Sequence, residues 1–133
     1  MSAAEKNRRS CPEGFAAARL AKAIGFMEAA ELTSTFDDTH ELRDASVTLC
    51  IHSGIAASDY ICCMRLGEYH SSESHSSAVG ILASVDPELA EQLRRLLRMK
   101  TKAAYSGAPA SAEDAKAAQR AATKLLKAAR SYQ

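Results

Sequence analysis

The sequence contains no tryptophan, and aromatic residues make up only 5% of its 133 positions. Strands prefer aromatic and β-branched side chains, so this alanine-rich composition favours helices packed through small side chains over a sheet. Glycine and proline are also scarce, at six and three residues, which argues against a loop-rich or disordered chain. The length fits one ordinary domain.

A long apolar run, a signal-type N-terminus and a metal-type cysteine spacing are also missing. No stretch approaches the ~20 apolar residues of a membrane span, and the charged start MSAAEKNRRS is not followed by a hydrophobic segment. We therefore expect a cytoplasmic protein with no membrane partner. The four cysteines form no C-x-x-C pair, and we expect buried free thiols rather than a disulfide framework or a zinc site.

Apolar periodicity predicts an all-α fold, a single up-and-down bundle of about five helices spanning residues 1–133. Residues 1–10 are expected to be flexible, and the core to cover about 12–130. Apolar and small residues occur nearly all round the long second helix, which places it at the centre. The five predicted helices cover about 12–32, 39–66, 73–84, 87–104 and 112–130.

Capping residues set several of these boundaries. Asp38 with Glu41 three positions later is typical of a capping box that opens the second helix. Gly67 is a suitable stop for the same helix. Asp86, followed by proline, predicts the start of the fourth helix. Ser111, followed by acidic residues, predicts the start of the fifth.

Charge is divided unevenly along the chain. Residues 1–91 hold 7 Lys and Arg against 14 Asp and Glu, a net charge of −7, whereas residues 92–133 hold 10 against 2, a net charge of +8. Helical spacing aligns the basic residues in stripes on the last two helices. Such stripes favour a polyanion such as RNA or a nucleotide, although solvated helix faces or a self-complementary oligomer surface would show the same pattern. The predicted RNA- or nucleotide-binding residues are Arg94, Arg98, Lys102, Lys116, Arg120, Lys124 and Lys127.

Two charged residues fall where apolar ones are expected. Lys100 lies within the leucine arc of the fourth helix, and Asp59 lies in the middle of the second. Each needs a partner or a route to solvent, so we expect them to meet each other, or other polar groups, in one buried cluster. No His, Cys or Asp spacing predicts a metal site, and no glycine-rich phosphate loop predicts a cofactor.

Two segments together resemble the HEPN superfamily of small helical bundles. They are GIAASDYICCMRLGEYHSSESHSSAVGIL and LRRLLRMKTKAAYSGAPASAEDAKAAQRAATKLLKAA, and the resemblance covers roughly residues 38–130. His75, Lys100 and Tyr105 stand at positions where the family has a histidine that opens a helix and a K-x-x-A-x-Y helix end. The resemblance therefore places His75 and Tyr105 in the expected polar cluster with Asp59 and Lys100.

The resemblance implies alternative functions. Many members are metal-independent endoribonucleases whose Arg and His meet across a homodimer, and Arg65 and His70 have the required spacing of four intervening residues. The imidazole would move the proton of a 2′-hydroxyl or of the leaving oxygen, and the guanidinium would stabilise the phosphate. Alternatively, Leu66 and Gly67 interrupt the motif and the pair has no catalytic role. The charge of Arg65 then only stabilises the negative C-terminal end of its helix, and His70 lies exposed in a turn. Other members bind RNA or nucleotides without chemistry, or pair with a nucleotidyltransferase in toxin–antitoxin modules. A third possibility is a non-catalytic helical subunit that binds a protein partner and has no nucleic-acid role.

Overall fold

The computed structural model describes residues 7–71 and 74–133. Within them, five helices pack as a bundle with one small two-stranded sheet at its edge, which confirms the predicted all-α class. The long helix α2 is central and packs against α1, α4 and α5, while α3 packs mainly on α4. The elements in chain order are β1 (Arg8–Ser10), α1 (Phe15–Thr35), α2 (Arg43–Leu66), β2 (Glu68–His70), α3 (His75–Ala83), α4 (Pro87–Tyr105) and α5 (Ala112–Arg130).

The N-terminal segment contains a strand that the sequence did not predict. Residues 1–6 lie outside the described residues, and β1 pairs antiparallel with β2 in the register Arg8 to His70. The hydroxyl and amide of Ser71 both donate to the carbonyl of Asn7, at 2.9 and 2.7 Å. Strand pairing over three residues leaves no periodic signal in the sequence, which is why β1 was missed.

A disulfide joins this segment to the bundle. Cys11 and Cys63 are bonded, so the prediction of free thiols is wrong for this pair, whereas Cys50 and Cys62 are buried free thiols as expected. Gly67, with φ of +70°, ends α2 in the left-handed region and turns the chain back into β2. The amide of Cys11 donates to the Gly67 carbonyl at 2.9 Å, which holds the two cysteines side by side.

The predicted caps of the last two helices are confirmed. Asp86 accepts hydrogen bonds from the amides of Glu88 and Leu89 at the start of α4. Ser111 and Asp114 form a reciprocal capping box at the start of α5. These signals are local, because donor and acceptor lie within three residues of each other, and a sequence therefore shows them directly.

The start of α2 differs from the prediction. Asp38 and Glu41 do not form a capping box, because α2 begins only at Arg43 and the amide of Leu42 donates instead to Asp37, at 3.1 Å.

Helix α3 begins at His75 with Ser74 as its cap, whose hydroxyl accepts from the amide of Ser77. The predicted start at Glu73 lies outside the described residues.

Small residues of α2 allow its neighbours to come close. A Cβ added at Gly54 would lie 2.3 Å from Leu96 Cδ1 on α4 and 3.2 Å from Leu125 Cδ1 on α5. On the side facing α1, the buried hydroxyl of Ser53 donates to the carbonyl of Ala23 at 2.7 Å. The core is therefore built on close backbone approach rather than on large side chains, as the lack of aromatics predicts.

Helix α2 also meets the length and composition test for a membrane span, contrary to the sequence-based expectation that no stretch would. However, 67% of its most apolar stretch is buried inside the bundle. A central core helix of a helical bundle passes the same test, because it is covered by protein on most sides.

The disulfide is expected to contribute measurably to stability. Replacing Cys11 by Ser should lower the free energy of unfolding by about 2–4 kcal/mol, because the bond closes a long loop in the unfolded chain. Thermal unfolding with and without dithiothreitol measures the effect, and the reductant should change the wild-type Tm but not that of the variant. Thiol titration of the denatured, unreduced wild type should give only Cys50 and Cys62, and a count that includes Cys11 and Cys63 would contradict the bond.

Gly54 is expected to be intolerant of even a methyl group. Gly54→Ala should destabilise the protein by about 1–3 kcal/mol, because the fully buried Leu96 must move. Gly25→Ala in α1 is the matched control, since a Cβ there meets nothing within 4 Å, and it should stabilise by about 0.5–1 kcal/mol through helix propensity. Chemical denaturation measures both, and equal effects of the two variants would contradict the close approach.

Candidate functional site

Asp59 forms a half-buried ion pair on the central helix. Its side chain is 14% exposed, and Arg19 of α1 donates from Nε to Oδ2 at 2.9 Å. Asp59 therefore pairs with Arg19, and the prediction of an Asp59–Lys100 pair is wrong. Arg19 was not selected from the sequence, because a single arginine in an alanine-rich helix has no pattern that distinguishes it from a solvated residue.

The expected cluster of Asp59, Lys100, His75 and Tyr105 does not form. Tyr105 is 80% exposed at the end of α4, and His75 is exposed at the start of α3. Lys100 is partly buried. The pKa of His52 is lowered by burial and then by the charges of Lys100 and Arg19. In the described residues, Lys100 forms no ion pair with Asp59.

Asp59 instead borders a small, partly open cavity of about 120 Å³. Residues of α2, β2, α3 and α4 line it, so four elements must be in place to form it. The polar side chains on its wall come from Ser58, Asp59, Cys62 and His70, and the apolar ones from Ile55, Ala78 and Leu93. A cavity of this size is large enough to hold a few water molecules.

Burial dominates the electrostatics of this cavity. It raises the pKa of Asp59 to about 6, although the charge and hydrogen bond of Arg19 oppose the increase. Burial also lowers the pKa of His70, with a smaller contribution from the charge of His75 and an opposing hydrogen bond at Ser74. The pKa of the Cys62 thiol is raised to about 12, mainly by burial. At neutral pH, His70 is therefore a neutral imidazole and Cys62 is not a thiolate nucleophile.

The two residues of the Arg-x4-His motif have different neighbours. Arg65 is exposed at the end of α2, where its Nη1 donates to the hydroxyl of Tyr132 at 3.3 Å and its guanidinium lies 5.9 Å from the ring centroid. His70, on β2, faces the cavity beside Asp59. Gly67 and β2 separate them, so within one chain the motif is divided between a surface contact and a cavity wall.

The predicted basic residues lie on the outer faces of α4 and α5 and divide into paired and unpaired groups. On α4, Arg94 and Arg95 share the carboxylate of Glu91, and Lys102 pairs with Asp114 of α5 at 2.8 Å. In the described part of the chain, no carboxylate lies within ion-pair distance of the remaining cations, which are Arg98, Lys116, Arg120, Lys124 and Lys127.

The two stripes line different depressions. Arg94 and Arg98 border a groove between α3 and α4. Lys116, Arg120 and Lys124 border a depression along α5 together with Gln119 and Thr123. The Lys102–Asp114 pair lies where the two helices meet. The structure thus presents two basic surfaces, of which the one on α5 is free of carboxylate partners among the described residues.

Among residues 7–71 and 74–133, no group of three or more His, Cys, Asp or Glu side chains is arranged to hold a metal ion.

Comparisons with protein-family models, curated proteins and solved structures give no match for this chain.

Asp59 should make the folded protein more stable as pH falls, which is the opposite of what an ordinary paired carboxylate does. Because its pKa is about 6 in the folded chain and ordinarily 3.8, the folded state binds the proton more tightly. The contribution of Asp59 to stability should therefore increase as pH falls from 7 to 4, by about 2–3 kcal/mol at most.

Urea unfolding of wild type and Asp59→Asn at pH 4, 5, 6 and 7 measures this effect. The stability difference between wild type and variant should shift towards the wild type as pH falls. A difference that stays constant, or that shifts towards the variant, would contradict the raised pKa.

Proposed function

We propose that this protein associates with RNA through the outward face of α5, as a HEPN-like helical module. The observation that carries the proposal is the row of exposed cations at Lys116, Arg120, Lys124 and Lys127 with no carboxylate partner in the described residues. Four such cations on one face of a helix neutralise phosphates without first breaking ion pairs of the protein's own.

The depression along α5 supports interactions beyond charge. Gln119 and Thr123 lie between the cations and line a volume of about 400 Å³ with them. Their amide and hydroxyl groups can bond to sugar hydroxyls and base edges, which are accessible in single-stranded RNA. Helix α5 has no aromatic residue in its sequence, so base stacking on this face contributes little.

The resemblance to HEPN proteins extends the proposal to oligomers and to a partner. It implies a homodimer, or a complex with a nucleotidyltransferase in a toxin–antitoxin or defence context. The exposed side chains of Leu32, Phe36 and Leu42, where α1 passes into α2, support a protein–protein contact there. Light scattering of the purified chain tests the homodimer, and a monomer at high concentration would exclude it.

RNA cleavage is the second candidate, and it is favoured by one observation. Burial lowers the pKa of His70 beside a small, partly open cavity, and a neutral imidazole there suits a general base. Arg65 would have to come from a second copy, because the Arg65 of the same chain lies exposed at the end of α2 and does not line the cavity that His70 faces.

RNA binding is expected to depend on salt and on the α5 cations. If the four cations neutralise four phosphates, log K should fall with log salt at a slope of roughly −3 for a single strand. Arg120→Glu combined with Lys124→Glu should weaken binding at least about tenfold at 0.1 M salt. The same change should make the slope shallower by about 0.7 for each phosphate that is no longer neutralised. Fluorescence anisotropy with a labelled single-stranded RNA measures both.

The matched control is Arg9→Glu combined with Lys22→Glu, which changes the net charge equally at exposed positions outside α5. If the two double variants lose the same affinity for RNA, the loss is due to net charge alone, which would contradict a site on α5. The same RNA tests the second candidate. If the wild type shortens the RNA and the His70→Ala variant does not, the protein is a nuclease.

A further inference from the structure

Helices α3 and α4 leave a groove of about 450 Å³ between them that is open to solvent. Its floor is apolar and consists of Val79, Ala83 and Leu97. Its rim is polar and carries Arg94, Arg98 and His75. A volume of this size lies within the range of about 300–1,000 Å³ that small-molecule sites occupy, and an apolar floor with a few polar groups is their usual composition.

The rim of this groove has an excess of positive charge. In the described residues, no carboxylate pairs with Arg98, and the one carboxylate that reaches Arg94, that of Glu91, is shared with Arg95. Two guanidinium groups four residues apart on one helix lie on the same side. Each presents a planar set of donors that matches a phosphate oxygen pair, which a lysine does not.

Gly80 keeps the groove open. It lines the groove in the second turn of α3, and a Cβ placed there would meet nothing within 4 Å. A side chain at this position would enter the groove rather than the core, so it can be filled without disturbing the packing of the bundle.

We propose that this groove binds a phosphate monoester whose ester group is apolar or aromatic. The phosphate pairs with Arg94 and Arg98 at the rim, and the ester group packs against Val79 and Leu97 on the floor. This site is distinct from the α5 surface, because no residue lines both. The same chemistry is presented by a free small molecule and by the 5′-terminal phosphate of an RNA strand.

Isothermal titration of the full-length chain with phenyl phosphate tests the proposal, with phenol and inorganic phosphate as the two half-ligands. Phenyl phosphate should bind saturably at millimolar concentration and more tightly than either half. Arg98→Gln should weaken binding about tenfold or more, because it removes a charge-assisted hydrogen bond. Gly80→Leu should abolish binding by filling the groove while leaving every charge in place.

The matched control is Arg95→Gln. Arg95 is the neighbouring exposed arginine that also contacts Glu91 but does not line the groove, so binding should be unchanged. Absence of saturable binding by the wild type, equal affinity for inorganic phosphate, or unchanged affinity in Arg98→Gln or in a Gly80→Leu protein with wild-type Tm would each overturn the proposal.

The α5 variant Arg120→Glu with Lys124→Glu separates this site from the proposed RNA surface, since it should lose RNA but keep phenyl phosphate. Tighter binding of 5′-phosphorylated than of 5′-hydroxyl RNA, abolished by Arg98→Gln, would assign the groove to an RNA end. Equal binding of the two RNAs would assign it to a free monoester.

Discussion

The whole bundle depends on how closely α4 and α5 approach the central helix at Gly54. The side chains of Leu96 and Leu125 occupy the space that a Cβ would fill, and both are fully buried. This contact fixes the distance of α4 and α5 from α2, and with it the direction of the outer faces of both helices. The exposed position of the cations on α5 is a consequence of packing at the opposite side of the same helix.

The small residues at the helix interfaces also explain the polar contacts inside the bundle. With few large side chains to fill the interface, α1 lies near enough to α2 for Ser53 to bond to a backbone carbonyl. It also lies near enough for Arg19 to reach Asp59. The ion pair and the cavity beside it are therefore located where helices of small residues meet, and their pKa shifts follow from burial rather than from a dense cluster of charges.

The correctly predicted contacts are between near neighbours in the chain, although the equally local capping box of Asp38 and Glu41 does not form. Contacts between distant residues could not be predicted. The caps at Asp86 and Ser111 bond within three residues and were predicted correctly. The pair of Arg19 with Asp59 and the bond of Cys11 with Cys63 join residues 40 and 52 positions apart. Lys100 was assigned to Asp59 because both were unexpected in apolar surroundings, but helical periodicity gives only the face of a helix and not the neighbour opposite.

For the basic residues too, the sequence predicts their position on a helix face but not their ion-pair partners. The basic stripes follow from spacing alone, and their exposure is as expected. Which cations stay unpaired depends on the meeting of α4 with α5, where Asp114 takes Lys102, and on the position of Glu91 between two arginines.

The Cys11–Cys63 bond encloses α1, most of α2 and the turn between them in one covalent ring. A protease that cuts the exposed turn around residues 36–42 would open this ring without releasing either fragment. The nicked chain would migrate as one species until a reductant is added. The disulfide would thus keep α1 and α2 covalently linked after backbone cleavage. Their effective concentration would stay high, and one cleaved peptide bond would not separate them.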